Sequence, residues 1–143
     1  MEEWSYVFHT RSTASGIRYA KAMVNNIKGM LLLPDNWDAA IHTLYNVNTI
    51  DSHFTDNVIS LSDWEAMEAQ GAVFLPASGS RYSNLVHGYS QMNNTISYGY
   101  YWSSTHFESD CAYFVNISNF SFSTTYKQVR YIGQSVRVVC PAQ

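Results

Sequence analysis

The sequence predicts a single α+β domain, and three observations support that prediction. Runs rich in β-branched and aromatic residues, separated by turn residues, predict strands in the first 34 residues. A helix-start signal follows at 62–65, and strand-like segments return over the C-terminal half. At 143 residues the chain can bury roughly 68% of its unfolded surface in one core. No internal repeat or linker divides it, so residues 1–143 are taken as one domain.

The N-terminal segments predict three strands. Trp4–Thr10 is aromatic and β-branched with loose alternation, which is typical of a first strand. Ile17–Val24 and Ile27–Leu33 flank Asn25-Asn26. Because asparagine tolerates a positive φ, a two-residue hairpin turn fits there. The alanine and lysine content of Tyr19–Val24 leaves a helix as the alternative for that segment.

The middle of the chain contains the clearest predicted element, a helix over Asp63–Gln70. Ser62 and Glu65 have the spacing of a capping box, in which the hydroxyl and the carboxylate each accept a hydrogen bond from an exposed amide at the helix start. Gly71 is the residue type that commonly ends a helix. Earlier in the chain, Asp38–Tyr45 predicts one short helix, and a polar loop follows it.

The rest of the chain is predicted to be β-rich. Ala72–Leu75 indicates a short buried strand closed by Pro76, and Ala77–Asn94, rich in Gly, Ser and Asn, indicates a loop. Four further strands are predicted over residues 97–104, 112–118, 120–124 and 134–139. Alternation in the last of these favours a closing strand that pairs with the N-terminal one.

Composition and charge argue against several classes of function. A net charge of −3, with 13% charged residues, gives no electrostatic basis for binding nucleic acid. No apolar run approaches the ~20 residues that span a bilayer, so no direct membrane insertion is expected. The start M-E-E-W-S-Y lacks the features of a signal peptide, which makes the chain a mature or excised domain if the protein is exported. Cys111 and Cys140 are expected to be free thiols, since nothing in their spacing requires a disulfide.

The sequence contains few signals of catalysis or metal binding. The chain has no G-x-S-x-G elbow, no G-x-G-x-x-G and no Walker pattern. Its five histidines lie singly, without H-x-x-x-H or a cysteine pair at zinc-ligand spacing. Asp51, Asp56 and Asn57 offer oxygen atoms but lack the regular spacing of a calcium loop. We therefore expect no enzyme activity, no cofactor and no metal.

The segment from Tyr98 to Cys140 is where the sequence indicates function. Eleven of the 22 aromatic residues lie between Tyr98 and Ile132, together with only four charged residues. The aromatics are interleaved with Ser, Asn and Asp in neither a helical nor a catalytic pattern. Tyrosine, serine and asparagine give contact area and adaptable hydrogen bonds at low entropic cost. The segment therefore predicts a recognition surface.

Several short motifs also carry a family resemblance. They are L-P-A-S-G-S-R at Leu75–Arg81, G-Y-Y-W-S-S-T at Gly99–Thr105, A-Y at Ala112-Tyr113, and R-x-x-G-x-S-V-R at Arg130–Arg137. Together they resemble the Fibrobacter succinogenes major paralogous domain family, found in surface and secreted proteins of gut Bacteroidetes and their relatives. The resemblance implies a C-type-lectin-like fold with mixed or antiparallel sheets, one or two short helices and long loops. It also implies a cell-surface or secreted location, with a phage tail as the alternative.

Some members of this family resemble the variable proteins of diversity-generating retroelements, in which an error-prone reverse transcriptase rewrites codons at template adenines. Randomising both adenines of an Asn codon reaches Tyr, Ser, Asp, His, Phe, Cys, Asn, Val, Ile and Thr, but not Glu, Lys, Gln, Trp or Met. On this resemblance residues 98–137 form a variable ligand-binding segment, with Glu108, Lys127 and Gln128 as fixed framework. The thirteen expected ligand-contacting positions are Tyr98, Tyr100, His106, Phe107, Asp110, Cys111, Phe114, Asn116, Ser118, Tyr126, Val129, Tyr131 and Ile132.

Residues between the variable positions are expected to hold the backbone in place. A buried tryptophan needs a partner for its indole N–H, and arginines in so uncharged a segment are expected to donate to backbone carbonyls or to a carboxylate. These scaffold positions are Trp102, Ser103, Ser104, Arg130, Gly133 and Arg137. The alternative is an ordinary aromatic-rich β core, in which Phe114, Phe120 and Phe122 are simply buried.

The expected function is therefore non-enzymatic binding, of the adhesin or receptor type, to an unknown protein or glycan on a cell, phage or host surface. Calcium-dependent sugar binding is disfavoured, since the chain has W-S-S where sugar-binding C-type lectins have W-N-D. The alternative is a structural subunit of a fimbrial tip or phage tail fibre. An enzyme of the formylglycine-generating type, which shares the lectin-like fold, is less favoured because it needs a redox-active cysteine pair.

Overall fold

The computed structural model describes residues 2–88 and 97–137, and there the chain is an α+β fold made mostly of strands in three sheets. The largest sheet contains β1 (Tyr19–Val24), β2 (Ile27–Leu32), β3 (Val58–Ile59) and β4 (Val73–Pro76), in the order β3-β1-β2-β4. The strand β3 runs parallel to β1, and the other neighbours are antiparallel.

The β1–β2 hairpin confirms the predicted two-residue turn. Asn25 and Asn26 have φ values of 47° and 64°, and Val24 pairs with Ile27 across them. Two consecutive residues with positive φ give the turn type whose twist matches that of the flanking strands. The helical alternative for Tyr19–Val24 is excluded.

Two further sheets lie in the C-terminal half. A hairpin of β5 (Ser80–Tyr82) and β6 (Leu85–His87) precedes an antiparallel sheet of β7 (Tyr98–His106), β8 (Cys111–Ser118) and β9 (Phe122–Val129). The loop predicted over Ala77–Asn94 is therefore wrong for residues 80–87, and residues 89–94 of that stretch lie outside the described part. The strand predicted over 120–124 begins at Phe122 and continues to Val129.

The strand predicted over Trp4–Thr10 is wrong, because the N-terminus is helical. A turn of α-helix, α1 (Glu2–Ser5), continues as a π-helical turn over Tyr6–Thr10. Helical winding brings the rings of Trp4 and Phe8 together at 5.9 Å, both of them buried in the core. The Trp4 indole N–H donates to the carbonyl of Trp102 at 3.1 Å. Burial of two large rings one turn apart decides the conformation against the local β preference.

The predicted closing strand does not pair with the N-terminus within residues 2–88 and 97–137, because the N-terminus is not a strand. Its described part lies beside β7 instead. Ser135 donates its N–H to the Tyr100 carbonyl at 2.9 Å and accepts from the Trp102 N–H at 3.0 Å. Residues 138 and 139 of the predicted strand lie outside the described part.

The helix predicted at Asp63–Gln70 is present as α2 (Leu61–Ala69), but its cap lies two residues earlier than predicted. The hydroxyl of Ser60, rather than that of Ser62, accepts from the Asp63 N–H at 3.1 Å. Met67 is buried, and Gly71, with φ of 91°, follows the end of the helix. The helix predicted over Asp38–Tyr45 is wrong, because that stretch contains only turns and bends.

The four-stranded sheet forms the middle layer of the fold, with a core on each face. On one face Tyr19, Met30 and Leu75 pack with Phe8 and the inner residues of the three-stranded sheet. On the other, α2 and the loops cover a second cluster. Its members are Ala22, Val24, Leu31, Leu33, Trp37, Ile59, Met67 and Ala72. The three-stranded sheet therefore has one face against the core and one face turned away from it.

Candidate functional site

Strand alternation sorts the residues of the three-stranded sheet onto two faces. Tyr101 on β7, Val115 and Ile117 on β8, and Phe122 on β9 are buried in the core. Successive side chains along a strand point to opposite faces, so their neighbours form the surface turned away from the core. We call this surface the outer face; it comprises Tyr98, Tyr100, Trp102, Phe114, Asn116, Ser118, Tyr126 and Gln128.

Five aromatic rings of the outer face form a continuous contact chain. Tyr98 stacks on Tyr100 at 6.1 Å, and Tyr100 meets the edge of Phe114 at 5.9 Å. Phe114 also contacts Trp102 at 6.0 Å and Tyr126 at 5.9 Å. Phe114 is thus the buried hub of the cluster, while Tyr98 and Tyr100 are half-buried and Tyr126 is exposed. Cross-strand aromatic pairs of this kind fix ring orientation and stabilise the sheet.

The β5–β6 hairpin extends this surface beyond the edge of β7. Gly79 donates its N–H to the Tyr98 carbonyl at 2.7 Å. Gly133 and Arg81 exchange two backbone hydrogen bonds at 2.6 and 2.7 Å, so the segment around Gly133 bridges the hairpin and β7. The result is a groove of about 410 Å³ on the side of the outer face. Its lining residues are Ser80, Tyr82, His87, Tyr100, Phe114, Gln128, Ile132 and Gln134.

A glycine at position 79 is required for this arrangement. Gly79 has φ of 70°, a conformation that disfavours any side chain, and a Cβ atom there would collide with the His87 carbonyl oxygen. The hairpin can therefore fold back against its own base only with glycine at this position. This gives the L-P-A-S-G-S-R motif a structural role.

The groove is aromatic and amide-rich, and no Asp, Glu, Lys or Arg side chain of the described residues lines it. Burial raises the pKa of the Tyr100 phenol, and the neighbouring Tyr98 adds to that shift, so Tyr100 remains a neutral hydrogen-bond donor. The Gln128 Oε1 accepts from the Val129 N–H at 3.1 Å. The Gln134 Oε1 is buried and has no hydrogen-bond partner within residues 2–88 and 97–137.

A second group of predicted residues lies at the turn between β7 and β8. The Lys127 ammonium sits 3.4 Å from the centre of the Phe107 ring, and Phe107 meets Tyr113 edge-on at 5.4 Å. The Arg130 guanidinium donates to the Ser109 carbonyl, which ties the end of β9 to this turn. Nearby, a cavity of about 260 Å³ is lined by Trp102, Ser103, Ser104, His106, Ala112 and Arg130.

Cys111 lies in this turn beside two carboxylates. The ligand atoms of Glu108, Asp110 and Cys111 lie within 4.8 Å of one another, but both acidic residues are exposed. Desolvation raises the pKa of the Cys111 thiol, and the carboxylates of Asp110 and Glu108 raise it further. Little thiolate is therefore present at neutral pH. Cys140 lies outside the described residues, so its predicted free thiol is not described.

The thirteen predicted ligand-contacting residues thus divide between these two places. Tyr98, Tyr100, Phe114, Tyr126 and Ile132 lie on the outer face or its groove, and Tyr131, 72% exposed, contacts Tyr82 at 5.8 Å. Asn116 and Ser118 lie on the outer face but are buried, and both bond to Ser121. Five residues remain. Four of them lie at or next to the β7–β8 turn, namely His106, Phe107, Asp110 and Cys111, and the fifth, Val129, is half-buried at the end of β9.

The predicted scaffold residues are also placed by the structure. The Trp102 carbonyl accepts from the Trp4 indole N–H, and Gly133 exchanges backbone hydrogen bonds with Arg81. The Arg130 guanidinium donates to the Ser109 carbonyl in the β7–β8 turn. Ser103 is buried, and Ser104 and Arg137 are exposed.

Sequence reasoning missed part of the groove: Ser80, Tyr82, His87, Gln128 and Gln134. The codon argument predicts Gln128 as fixed framework because an Asn codon cannot reach it, and in the structure Gln128 lines the groove. The hairpin residues had one weak signal, the Ser83-Asn84 pair between two three-residue strands. Ser83 adopts a positive φ of 54° in that turn.

Comparisons with known proteins give no family assignment. A scan against protein-family models and searches of curated proteins and of solved structures found no match to this chain. Within the described residues, no helix is long and apolar enough to span a membrane.

Proposed function

We propose that this domain binds a macromolecular ligand through the outer face and its groove, without catalysing a reaction. The observation that supports this proposal most is the chain of aromatic rings on the face turned away from the core. The rings of Tyr126 and Tyr131 are 48% and 72% exposed; they contact aromatic neighbours but are not part of the hydrophobic core. Exposed Tyr clusters with short polar neighbours are typical of recognition surfaces.

The sequence motifs at Leu75–Arg81, Gly99–Thr105, Ala112-Tyr113 and Arg130–Arg137 support a more specific proposal. The chain would be a C-type-lectin-like domain of an adhesin or receptor, at the cell surface or in a secreted protein. In this proposal residues 98–137 are a segment diversified by a retroelement. The backbone of that segment is held by sheet pairing and by contacts such as Tyr101 Oη to the Pro76 carbonyl at 2.7 Å. Side chains of the outer face can then change while the inner face keeps the core.

The chemistry of the groove supports binding rather than catalysis. Among residues 2–88 and 97–137, its lining contains no carboxylate, lysine or cysteine, so these residues offer no pair of acid and base with separated pKa values. The Cys111 thiol lies at the β7–β8 turn, and its raised pKa makes it a poor nucleophile. An oxidase of the formylglycine-generating type would need a reactive thiol, whose pKa is not raised.

A matched pair of double variants tests the proposal. Tyr126→Ser with Tyr131→Ser removes two exposed rings beside the groove; Tyr45→Ser with Ile50→Ser removes two side chains of similar exposure that do not line it. Labelled proteins are applied to printed arrays of bacterial and host surface proteins and of glycans. We expect the control to keep the spots that the wild type binds and the Tyr126/Tyr131 variant to lose them. An array without bound spots, or equal losses in both variants, would contradict the proposal.

A structural subunit remains the second candidate, because exposed apolar side chains continue from the groove onto the hairpin. Leu85, Val86 and Val136 are 57%, 38% and 69% exposed. A neighbour in an assembly would cover such a patch. Light scattering on the purified domain separates the two: a monomer favours the binding module, whereas a stable oligomer that Leu85→Ser dissociates favours the subunit.

A further inference from the structure

We infer that the groove beside the outer face binds a neutral saccharide ring and does so without calcium. This inference rests on the proposed binding function and names the class of ligand for the same site. The groove volume of about 410 Å³ lies within the roughly 300–1,000 Å³ of small-molecule sites.

The charge of the lining selects an uncharged ligand. The eight described residues of the lining include no Asp, Glu, Lys or Arg: they are two glutamines, two tyrosines, and one each of serine, histidine, phenylalanine and isoleucine. In this described part of the lining, an acidic sugar or a phosphate would find no lysine or arginine, and a basic ligand no carboxylate. The same residues offer no carboxylate oxygen of the kind that calcium sites use.

The aromatic walls fit the apolar face of a pyranose. Tyr82, on the exposed hairpin, and Tyr100, on β7, are the two tyrosines of the lining. The faces of aromatic rings carry partial negative charge. The axial C–H bonds of a sugar ring carry partial positive charge and can lie against such a face. This contact buries apolar area on both partners and needs no ionic group.

The polar groups of the groove fit sugar hydroxyls, which both donate and accept. Gln128 Oε1 already accepts from Val129 N–H, which leaves its two N–H donors for a ligand or for water. Gln134 Oε1 is a buried acceptor with no partner in the described part of the chain. A ligand hydroxyl satisfies this oxygen once the amide turns toward the groove. Satisfying a buried acceptor is favourable, because leaving it unpaired carries a desolvation penalty.

A proline-rich peptide is the other neutral ligand that aromatic grooves commonly take. The small number of hydrogen-bond donors in such a peptide argues against it as the ligand of this groove. Proline has no N–H, so such a segment presents mainly carbonyl acceptors and leaves the Gln134 oxygen unpaired. A saccharide supplies donors as well as acceptors in one ring.

The test is titration calorimetry with stated probes: a panel of neutral disaccharides (lactose, N-acetyllactosamine, cellobiose, maltose), sialyllactose and galacturonic acid as acidic counterparts, and a proline-rich decapeptide. We expect a neutral disaccharide to bind with Kd in the roughly millimolar range, unchanged by EDTA. Tyr82→Ser and Gln134→Ala should each weaken it roughly tenfold. Tyr45→Ser, an exposed tyrosine outside the groove, should leave it unchanged.

Four results would overturn the inference: no binding to any neutral sugar, loss of binding in EDTA, wild-type affinity in both groove variants, or binding of the decapeptide alone. Tyr82 lies on an exposed hairpin, so its variant is expected to fold even if the Gln134 variant does not. A protein that binds array spots through Tyr126 and Tyr131 yet binds no sugar keeps the proposed function and loses only this inference.

Discussion

Lys21 is fully buried, and its ammonium group is surrounded by backbone carbonyls. Its Nζ donates to the carbonyls of Ile50 and Ser52 at 2.9 Å each and to that of Asn119 at 3.4 Å. Burial lowers the pKa of this ammonium group. Three carbonyls match the three N–H donors of lysine, so the charge is compensated without a buried carboxylate. The contacts tie β1 to the loop before β3 and to the β8–β9 turn that supports the outer face.

Asp56 is a second residue with a measurable role, because its carboxylate organises the turn before β3. Its Oδ2 accepts from the His53 N–H at 2.8 Å and from the Asn46 amide at 2.9 Å. These hydrogen bonds lower the pKa of the Asp56 carboxyl, the His53 bond most. A lowered folded-state pKa gives stability that is present above the ordinary value and is lost as pH falls through the folded value.

We therefore expect Asp56→Asn to be less stable than the wild type at about pH 5 and the difference to shrink below about pH 4. Urea unfolding at both pH values measures it. Asp38→Asn is the control, because the exposed Asp38 carboxylate accepts a local hydrogen bond from the Ala40 N–H. A stability difference that does not shrink as the pH falls below about 4 would refute this role of the carboxylate.

At the scale of elements, the N-cap of α2 lies two residues before the position that the sequence predicts. Two serines, Ser60 and Ser62, lie at the helix start, and only Ser60 accepts from the Asp63 N–H. An N-cap serine is worth about 1 kcal/mol. Ser60→Ala should therefore lower the free energy of unfolding by about 1 kcal/mol, and Ser62→Ala by less than about 0.5 kcal/mol. Thermal or urea unfolding that ranks the two variants in the opposite order would contradict the observed cap.

The exposed edge of β9 is protected by its own side chains. The Thr125 N–H donates to Ser123 Oγ at 3.2 Å, and the Val129 N–H to Gln128 Oε1 at 3.1 Å. Lys127 places a charge between them. Such features disfavour the addition of another strand at a sheet edge. A partner is therefore expected to approach the outer face rather than this edge.

Elements set by local chemistry were predictable, and elements set by distant contacts were not. Asn25-Asn26 fixes its hairpin through backbone conformation alone. Trp4–Thr10 has a β-like composition, yet its conformation depends on burying Trp4 and Phe8 against residues about 100 positions away. The β5 and β6 strands are three residues each, too short for a periodic signal.

At the scale of the whole molecule, three layers explain why one face of the C-terminal sheet is available. The four-stranded sheet is covered on both faces, whereas the three-stranded sheet uses one face for the core. Composition picks out the aromatic segment but not which of its rings are exposed, because Tyr101, Phe114 and Phe122 are buried while Tyr126 and Tyr131 are exposed. The groove could not be predicted, because Tyr82, Tyr100 and Gln134 come from three separate segments that only the fold brings together.

The central claim is that the exposed rings on and beside the outer face, those of Tyr82, Tyr126 and Tyr131, serve a ligand rather than the fold. Urea unfolding tests this claim most directly. The variant Tyr82→Ser/Tyr126→Ser/Tyr131→Ser is compared with Phe122→Ala, which removes a buried ring 4.6 Å from Phe8. We expect the triple variant to lose no more than about 2 kcal/mol and Phe122→Ala to lose about 3–5 kcal/mol. A triple variant that loses as much as Phe122→Ala would show that these rings belong to the core, and the claim would be wrong.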